Sequence, residues 1–377
     1  VIGPQIGGWI VDALNWRWVF YINLPIAVIA IIFIALGLHS HRARQKVRFD
    51  IAGIFTMIVG VVSMLLALTF GGKNYAWSSW QIIGLFVLAA ISLSAFGNIE
   101  SKADDPILPM RLFKNRTFTV INSIGFLMSV GMFGSIMFVP LFLQGVVGVS
   151  PSASGTAMTP MMVTMIVGSI LSGQLVSKIG VRLQMAIGMI IMAASFVLLS
   201  TLSVNTSGFV VAVYMVVLGL GMGLVMPILT IAVQESFPKS ELGVVTSSSQ
   251  FFRQIGGTFG MTILGAVLNA TSSAALTTQL APVFNRMPAN PMVTQLKSMV
   301  QSNAQGLYSS LLNPATLAKM PSAFAQRLVP ILKSTLVNSL HSVFLTGLVF
   351  VILGTVLTVF LGKITISDRR KDQPEGK

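Results

Sequence analysis

The sequence predicts an all-α integral membrane protein, and three observations carry that prediction. Charged residues make up 9% of the 377 positions and hydrophobic ones 54%, where a soluble domain carries roughly 25% charged residues. The apolar residues gather into runs of about 20, the length that crosses a bilayer as a helix. Between the runs lie polar corners that are alternately rich and poor in Lys and Arg. The absence of cysteine removes any disulfide, thiol nucleophile or cysteine-based metal site. A formal charge of +14 would suggest nucleic acid in a soluble chain, but here its distribution among the loops matters more than the sum. Nothing reads as a signal peptide, because no charged region precedes the first apolar run.

The chain opens on an apolar run holding Gly3, Pro4, Gly7 and Gly8, closed by a polar corner from Asp12 to Arg17. Gly3 and Gly7 are four apart and share a helix face, with Pro4 and Gly8 bordering it. Small residues at that spacing let two membrane helices approach backbone to backbone. Pro4 removes one backbone donor, a fault that neighbouring helices repair. Residues 18–38 form the first whole span, and the loop 39–50 sets Arg42, Arg44, Lys46 and Arg48 against Asp50. Span 51–70 leads to a Gly and aromatic corner at 71–80, where Trp77 and Trp80 suit the headgroup level. Span 81–98 then returns to a second basic loop, 100–116.

Five more spans follow, at 117–143, 154–176, 184–203, 208–234 and 246–270. A short corner at 145–153, a basic turn at 177–183, a minimal corner around Asn205 and a polar loop at 235–245 separate them. Residues 271–338 read as a long outer loop of mixed polarity. Within it Phe324, Leu328, Ile331, Leu332, Leu336 and Leu340 share one helical face, which predicts an amphipathic helix on the outer surface or leading into the last span, 340–362. The total is nine whole spans plus the end of one. Lys and Arg of the short loops set the orientation. One side collects Arg42, Arg44, Lys46, Arg48, Lys102, Arg111, Lys114, Arg116, Lys178, Arg182, Lys239 and the tail 363–377, and the other has only Arg17 and Lys73. The basic loops and the C-terminus are therefore expected in the cytoplasm.

Several stretches resemble one family. Gly3-Pro4-Gln5-Ile6-Gly7-Gly8 resembles the end of the antiporter signature in the fifth helix of drug:proton antiporters of the major facilitator superfamily. Asn15-Trp16-Arg17-Trp18, with Phe20, Asn23 and Pro25, is similar to the turn into the sixth helix of its fourteen-helix, EmrB/QacA-type branch. The stretch from Gly173 to Arg182 resembles the cytoplasmic-loop signature in its second-half copy, with Ser177 where the family prefers Asp. GLGMGLVMP at 219–227 resembles the twelfth helix and FRQIGG at 252–257 the thirteenth. The resemblance implies that residues 1–38 end a first bundle as its helices five and six, and that 39–116 form a central linker with two extra helices. It also implies that 117–362 complete a second six-helix bundle, and that four helices and most of a fifth precede Val1.

For the candidate sites two readings stay open side by side. Gly173, Lys178, Gly180 and Arg182 form either a solvated basic turn or a cytoplasmic gate. Arg253 lies about two turns inside a span, where it must snorkel or pair, and the resemblance implies a part in the inner gate. Gly219, Gly221 and Gly223 with Pro227 make a helix that packs closely or serves as a hinge. Met128, Met132, Phe133, Gln144, Met162, Tyr214, Met222 and Met226 are soft, adaptable groups suited to a promiscuous substrate cavity, with lipid-facing packing as the alternative. No Asp or Glu falls mid-span, and the resemblance implies membrane carboxylates in the first helices of the family, so the proton-coupling carboxylate is expected ahead of Val1. His39, His41 and His341 have no metal-ligand spacing, and three histidines without a mid-span carboxylate do not make an enzyme site.

The expected function is multidrug efflux from a bacterial cell membrane: amphipathic or cationic small molecules exchanged for protons by alternating access. The proton gradient is the energy source, with no cofactor or metal. The expected partners are those substrates, protons and the lipid bilayer, and not nucleic acid. A proton-coupled permease for a specific metabolite, or an inactive fragment of such a transporter, is the alternative.

Overall fold

The computed structural model describes residues 3–37, 50–71, 75–103, 106–284, 308 and 322–362. The basic run 42–48, Lys73, most of the long outer segment and the tail 363–377 lie outside the described residues. Eleven α-helices are described: α1 (Gly3–Ala13), α2 (Trp18–Tyr21), α3 (Asn23–Gly37), α4 (Ile51–Phe70), α5 (Trp80–Glu100), α6 (Arg116–Phe142), α7 (Pro151–Ala157), α8 (Thr159–Leu199), α9 (Gly208–Glu235), α10 (Leu242–Phe284) and α11 (Ser322–Leu357). Among the described residues, eight stretches are long and apolar enough to cross a membrane.

Helix starts follow the polar corners. Asp50, Ser79, Asn115 and Ser150 cap α4, α5, α6 and α7, each accepting a backbone N–H of the first turn. Such caps satisfy donors that have no intrahelical partner.

One of the eight stretches is double. Gly180 interrupts α8 with φ 78° and ψ 162°, a left-handed φ that glycine adopts without the Cβ penalty. Gln184 donates to the carbonyl of Ser172 at 3.0 Å and to its hydroxyl at 2.8 Å. In a straight helix those residues would stand about 18 Å apart. The chain therefore folds back on itself at Gly180, and 159–179 and 181–199 are antiparallel arms, matching the two spans the sequence placed there. Gln184→Ala should lower stability by about 1–3 kcal/mol, read as a fall in melting temperature of the purified protein.

The α9 helix lies between these arms. A Cβ on Gly219 or Gly223 would collide with the carbonyls of Met161 and Met165 on the first arm, and one on Gly221 would lie 2.8 Å from the Met192 nitrogen on the second. The α6–α10 contact uses the same device. A Cβ on Gly256 would lie 2.5 Å from the Phe126 carbonyl oxygen, and one on Gly260 2.5 Å from that of Val130. Both the glycines and their partners are four residues apart, so each pair sits one above the other on its helix. The α11 helix packs on α6, α8 and α10. Phe118, Met128, Phe138, Met189, Phe196, Leu264 and Phe344 are among the fully buried core residues.

Outside this bundle, α4 and α5 pair with each other, and α4 touches α10. The α3 helix has no buried residue, and α1 meets the bundle through α7. The corners sort by end. Arg111 pairs with Glu241 at 3.2 Å and Asn115 donates to the Ser236 carbonyl, joining the basic loop 100–116 to the polar loop 235–245. At the opposite end Lys333 donates to the Val146 carbonyl at 2.6 Å, and His341 hydrogen-bonds the Leu202 carbonyl.

The segment read as a long loop is helical where it is described. Residues 271–284 continue α10 and 322–338 begin α11. With 43 and 36 residues, these helices are about 64 and 54 Å long, against a hydrocarbon core of about 30 Å. Leu276 and Leu280 on one and Leu328, Leu332 and Leu336 on the other are buried, and Thr335 donates to Gln279 at 3.2 Å. The predicted amphipathic stretch thus runs straight into the last span instead of lying apart on the surface.

Candidate functional site

The contact that joins the chain's first helix to the bundle is built backbone to backbone. A Cβ on Gly8 would lie 2.8 Å from both the Pro151 carbonyl oxygen and the Ser152 Cα. Beside it the Asp12 carboxylate accepts the Ser152 N–H at 2.9 Å, and Gln5 donates to the Thr159 hydroxyl at 2.6 Å. Asp12 thus supplements the Ser150 cap of α7 with a carboxylate at the positive end of the helix. Gly3 and Gly7 have open space where a Cβ would stand. Of the glycines that the sequence sets on or beside the tight face, Gly8 is the one that makes the close approach. The side-chain surroundings of Pro4 are outside the described residues.

The second-half loop signature is an open turn. Gly173, Lys178 and Arg182 are exposed, and among the described residues neither cation has a carboxylate partner. Gly180 alone has a conformational requirement there. Arg253 stands apart from that turn on α10, 11 residues or about 17 Å from the start of the helix. Its guanidinium donates to Gln250 at 2.6 Å, and its aliphatic stem occupies the space left by Gly125, whose Cβ would lie 3.3 Å from Arg253 Cγ. A charge at that depth needs such a polar neighbour or a route to water.

The residues proposed for a substrate cavity are spread between the bundle core and its edge. Met128, Met132 and Met222 are buried in the bundle core. Phe133 lies against the Gly257 backbone, and Gln144 donates to Ser154 at 2.8 Å. Met162, Tyr214 and Met226 are half-buried against that core. Gly219, Gly221 and Gly223 sit in the α8–α9 packing described above, and Pro227 lies inside an unbroken α9.

A family model described as Major Facilitator Superfamily matches residues 1–261. The chain belongs to the major facilitator superfamily. It is 60% identical over its whole length to the multidrug transporter protein MdtP of Bacillus subtilis, of which it covers 70%. It is 31% identical over 97% of its length to multidrug resistance protein 3 of the same organism, covering 69% of it. An uncharacterized MFS-type transporter of Mycobacterium tuberculosis is 33% identical over 99% of the chain, which spans 51% of that relative.

The joint's partners escaped sequence reasoning because Asp12 and Ser152 are 140 positions apart, and nothing local pairs them. The Gly256–Gly260 face was visible as a small-residue repeat in GGTFG, although its partners Phe126 and Val130 were not.

Proposed function

We propose that this chain supplies the second bundle and central helices of a multidrug efflux transporter, which exports amphipathic or cationic small molecules in exchange for protons. The observation that carries the reading is the 60% identity, over the whole chain, to a protein named a multidrug transporter. Two structural features agree with it. The α4–α5 pair stands between α3 and α6 in the chain and beside α10 in space, as the two extra helices of a fourteen-helix transporter would. With the α8 arms counted separately, nine of the described stretches are long and apolar enough to cross, and in this reading α1 is the end of a further one. The close α1–α7 contact is the kind of side-chain-poor surface on which two bundles rock about a midplane site.

In this reading the basic loops and the C-terminus face the cytoplasm of a bacterium and the α1–α7 joint closes the outer end. The coupling carboxylate belongs to a first bundle, for which the greater length of the relatives leaves room. Cells expressing the full transporter should accumulate several-fold less ethidium than cells without it. A protonophore should abolish the difference. Export of a single metabolite with no effect on ethidium would favour the permease alternative, and a difference that survives the protonophore would remove the proton exchange.

A further inference from the structure

A cavity of about 570 Å³ opens between the last turn of α4, with the corner that follows it, and the middle of α10. It is of the size that holds a drug-like ligand. Leu68, Met261 and Val267 make its walls apolar, and among the described residues no charged residue lines it. The Trp77 ring closes one side by lying across Gly71, where a Cβ would meet the ring at 2.5 Å. Gly265 opens the other side, with nothing within 4 Å of the place its Cβ would occupy.

The polar groups of the wall are unequal. Thr69 and Thr262 donate their hydroxyls to the carbonyls of Leu65 and Thr258 on their own helices, at 2.7 and 2.9 Å. Asn269 also lines the cavity, and its Oδ1 is shielded from solvent with no hydrogen-bond partner. A shielded acceptor without a donor costs free energy that a ligand can recover. The terminal torsion of an asparagine is broad, and a turn of the carboxamide exchanges its oxygen and its NH2 group, so a ligand hydroxyl, which both donates and accepts, can pair with whichever faces the cavity. The threonine hydroxyls, already spent on their own helices, do not supply the donor.

We propose that this cavity is a binding site, entered from the bilayer, for an uncharged amphiphile with an apolar body and a hydroxyl. The body lies against Leu68, Met261, Val267 and the Trp77 ring, and the hydroxyl hydrogen-bonds the Asn269 carboxamide. The described lining comes from α4, the corner after it and α10, so the site does not depend on α1, on the α1–α7 joint or on efflux.

The probe is dodecanol with a diazirine in its chain, photolysed with the full chain in phospholipid vesicles and mapped by peptide mass spectrometry. The expected result is saturable labelling within 261–270 and 68–77, displaced by dodecanol and not by dodecane. Gly265→Leu should abolish that labelling by filling the cavity, with the melting temperature unchanged. Asn269→Leu should weaken dodecanol by about threefold to tenfold, the worth of one neutral hydrogen bond. Labelling spread evenly over the lipid-facing helices, or unaffected by Gly265→Leu, would overturn the proposal. So would equal labelling of the same residues by a diacyl phospholipid carrying the diazirine, since that marks ordinary boundary lipid.

Discussion

Leucine in place of Gly219 is expected to leave little folded protein in the membrane. Gly219 faces the first arm of α8, and any Cβ there runs into the Met161 carbonyl and the Thr164 hydroxyl. The obstacle is mostly backbone, so no rotamer change relieves it. Thr164 is itself fixed, donating to the Val216 carbonyl of α9 at 3.1 Å. Separating α9 from that arm would also loosen Gly223 from Gly168, and Ser172 from the Leu224 carbonyl that it reaches at 3.1 Å. Overpacking commonly costs about 1–3 kcal/mol, and a clash against main chain with no room to relax belongs at or beyond the upper end. Net stability of a folded domain is only about 5–15 kcal/mol. The measurement is the monodisperse fraction after detergent extraction, with Gly97→Leu as the control. Gly97 has nothing within 4 Å of a Cβ, and its variant should extract like the parent.

Gly8→Val should abolish efflux with the protein still inserted, whereas Gly7→Val should leave efflux close to the parent level. The adjacent glycines differ in what they face. Valine at position 8 meets main-chain atoms of Pro151 and Ser152, and valine at position 7 meets open space. The α1–α7 joint buries few residues, so its disruption leaves the bundle core untouched. A penalty of about 1–3 kcal/mol falls on whichever state of the cycle closes this joint. At about 1.4 kcal/mol per factor of ten, that state is depleted by roughly tenfold to hundredfold. Transport requires repeated passage through it. Dye efflux normalised to the amount of protein in the membrane reads the effect; equal activity in both valine variants would remove the joint from the mechanism.

The spans were legible because a bilayer demands long apolar runs with their backbone bonds satisfied internally. Nearly every helix boundary therefore stands at a polar corner already visible in the chain. The reversal at Gly180 was legible too, from Lys178 and Arg182 in a short basic turn. Two things were not. Residues 271–284 looked like part of a loop because their apolar residues are diluted by Ser, Thr and Gln, whereas 324–340 already read as an amphipathic helix. The burial of leucines on both stretches is a tertiary fact. The methionines at 128, 132 and 222 fitted a soft substrate lining by chemistry alone, but an apolar side chain does not tell a core from a cavity. Only the neighbours decide that, and all three side chains are buried among other apolar residues. Gly7 and Gly8 show the limit most sharply, since adjacent identical residues carry identical local signals and face different surroundings.

The folded-back α8 aside, α10 and α11 are the longest described helices, and each exceeds the thickness of a hydrocarbon core. Their far portions carry buried leucines and the Thr335–Gln279 hydrogen bond, so a tilt of one would carry the other with it. A tilt of about 10° in a rod projecting some 25 Å moves its tip about 4 Å. Any reorientation of the buried portion is thus amplified beyond the lipid headgroups, at a place reachable by water-soluble reagents. A probe attached at the far end of that pair would report the working cycle from outside the bilayer.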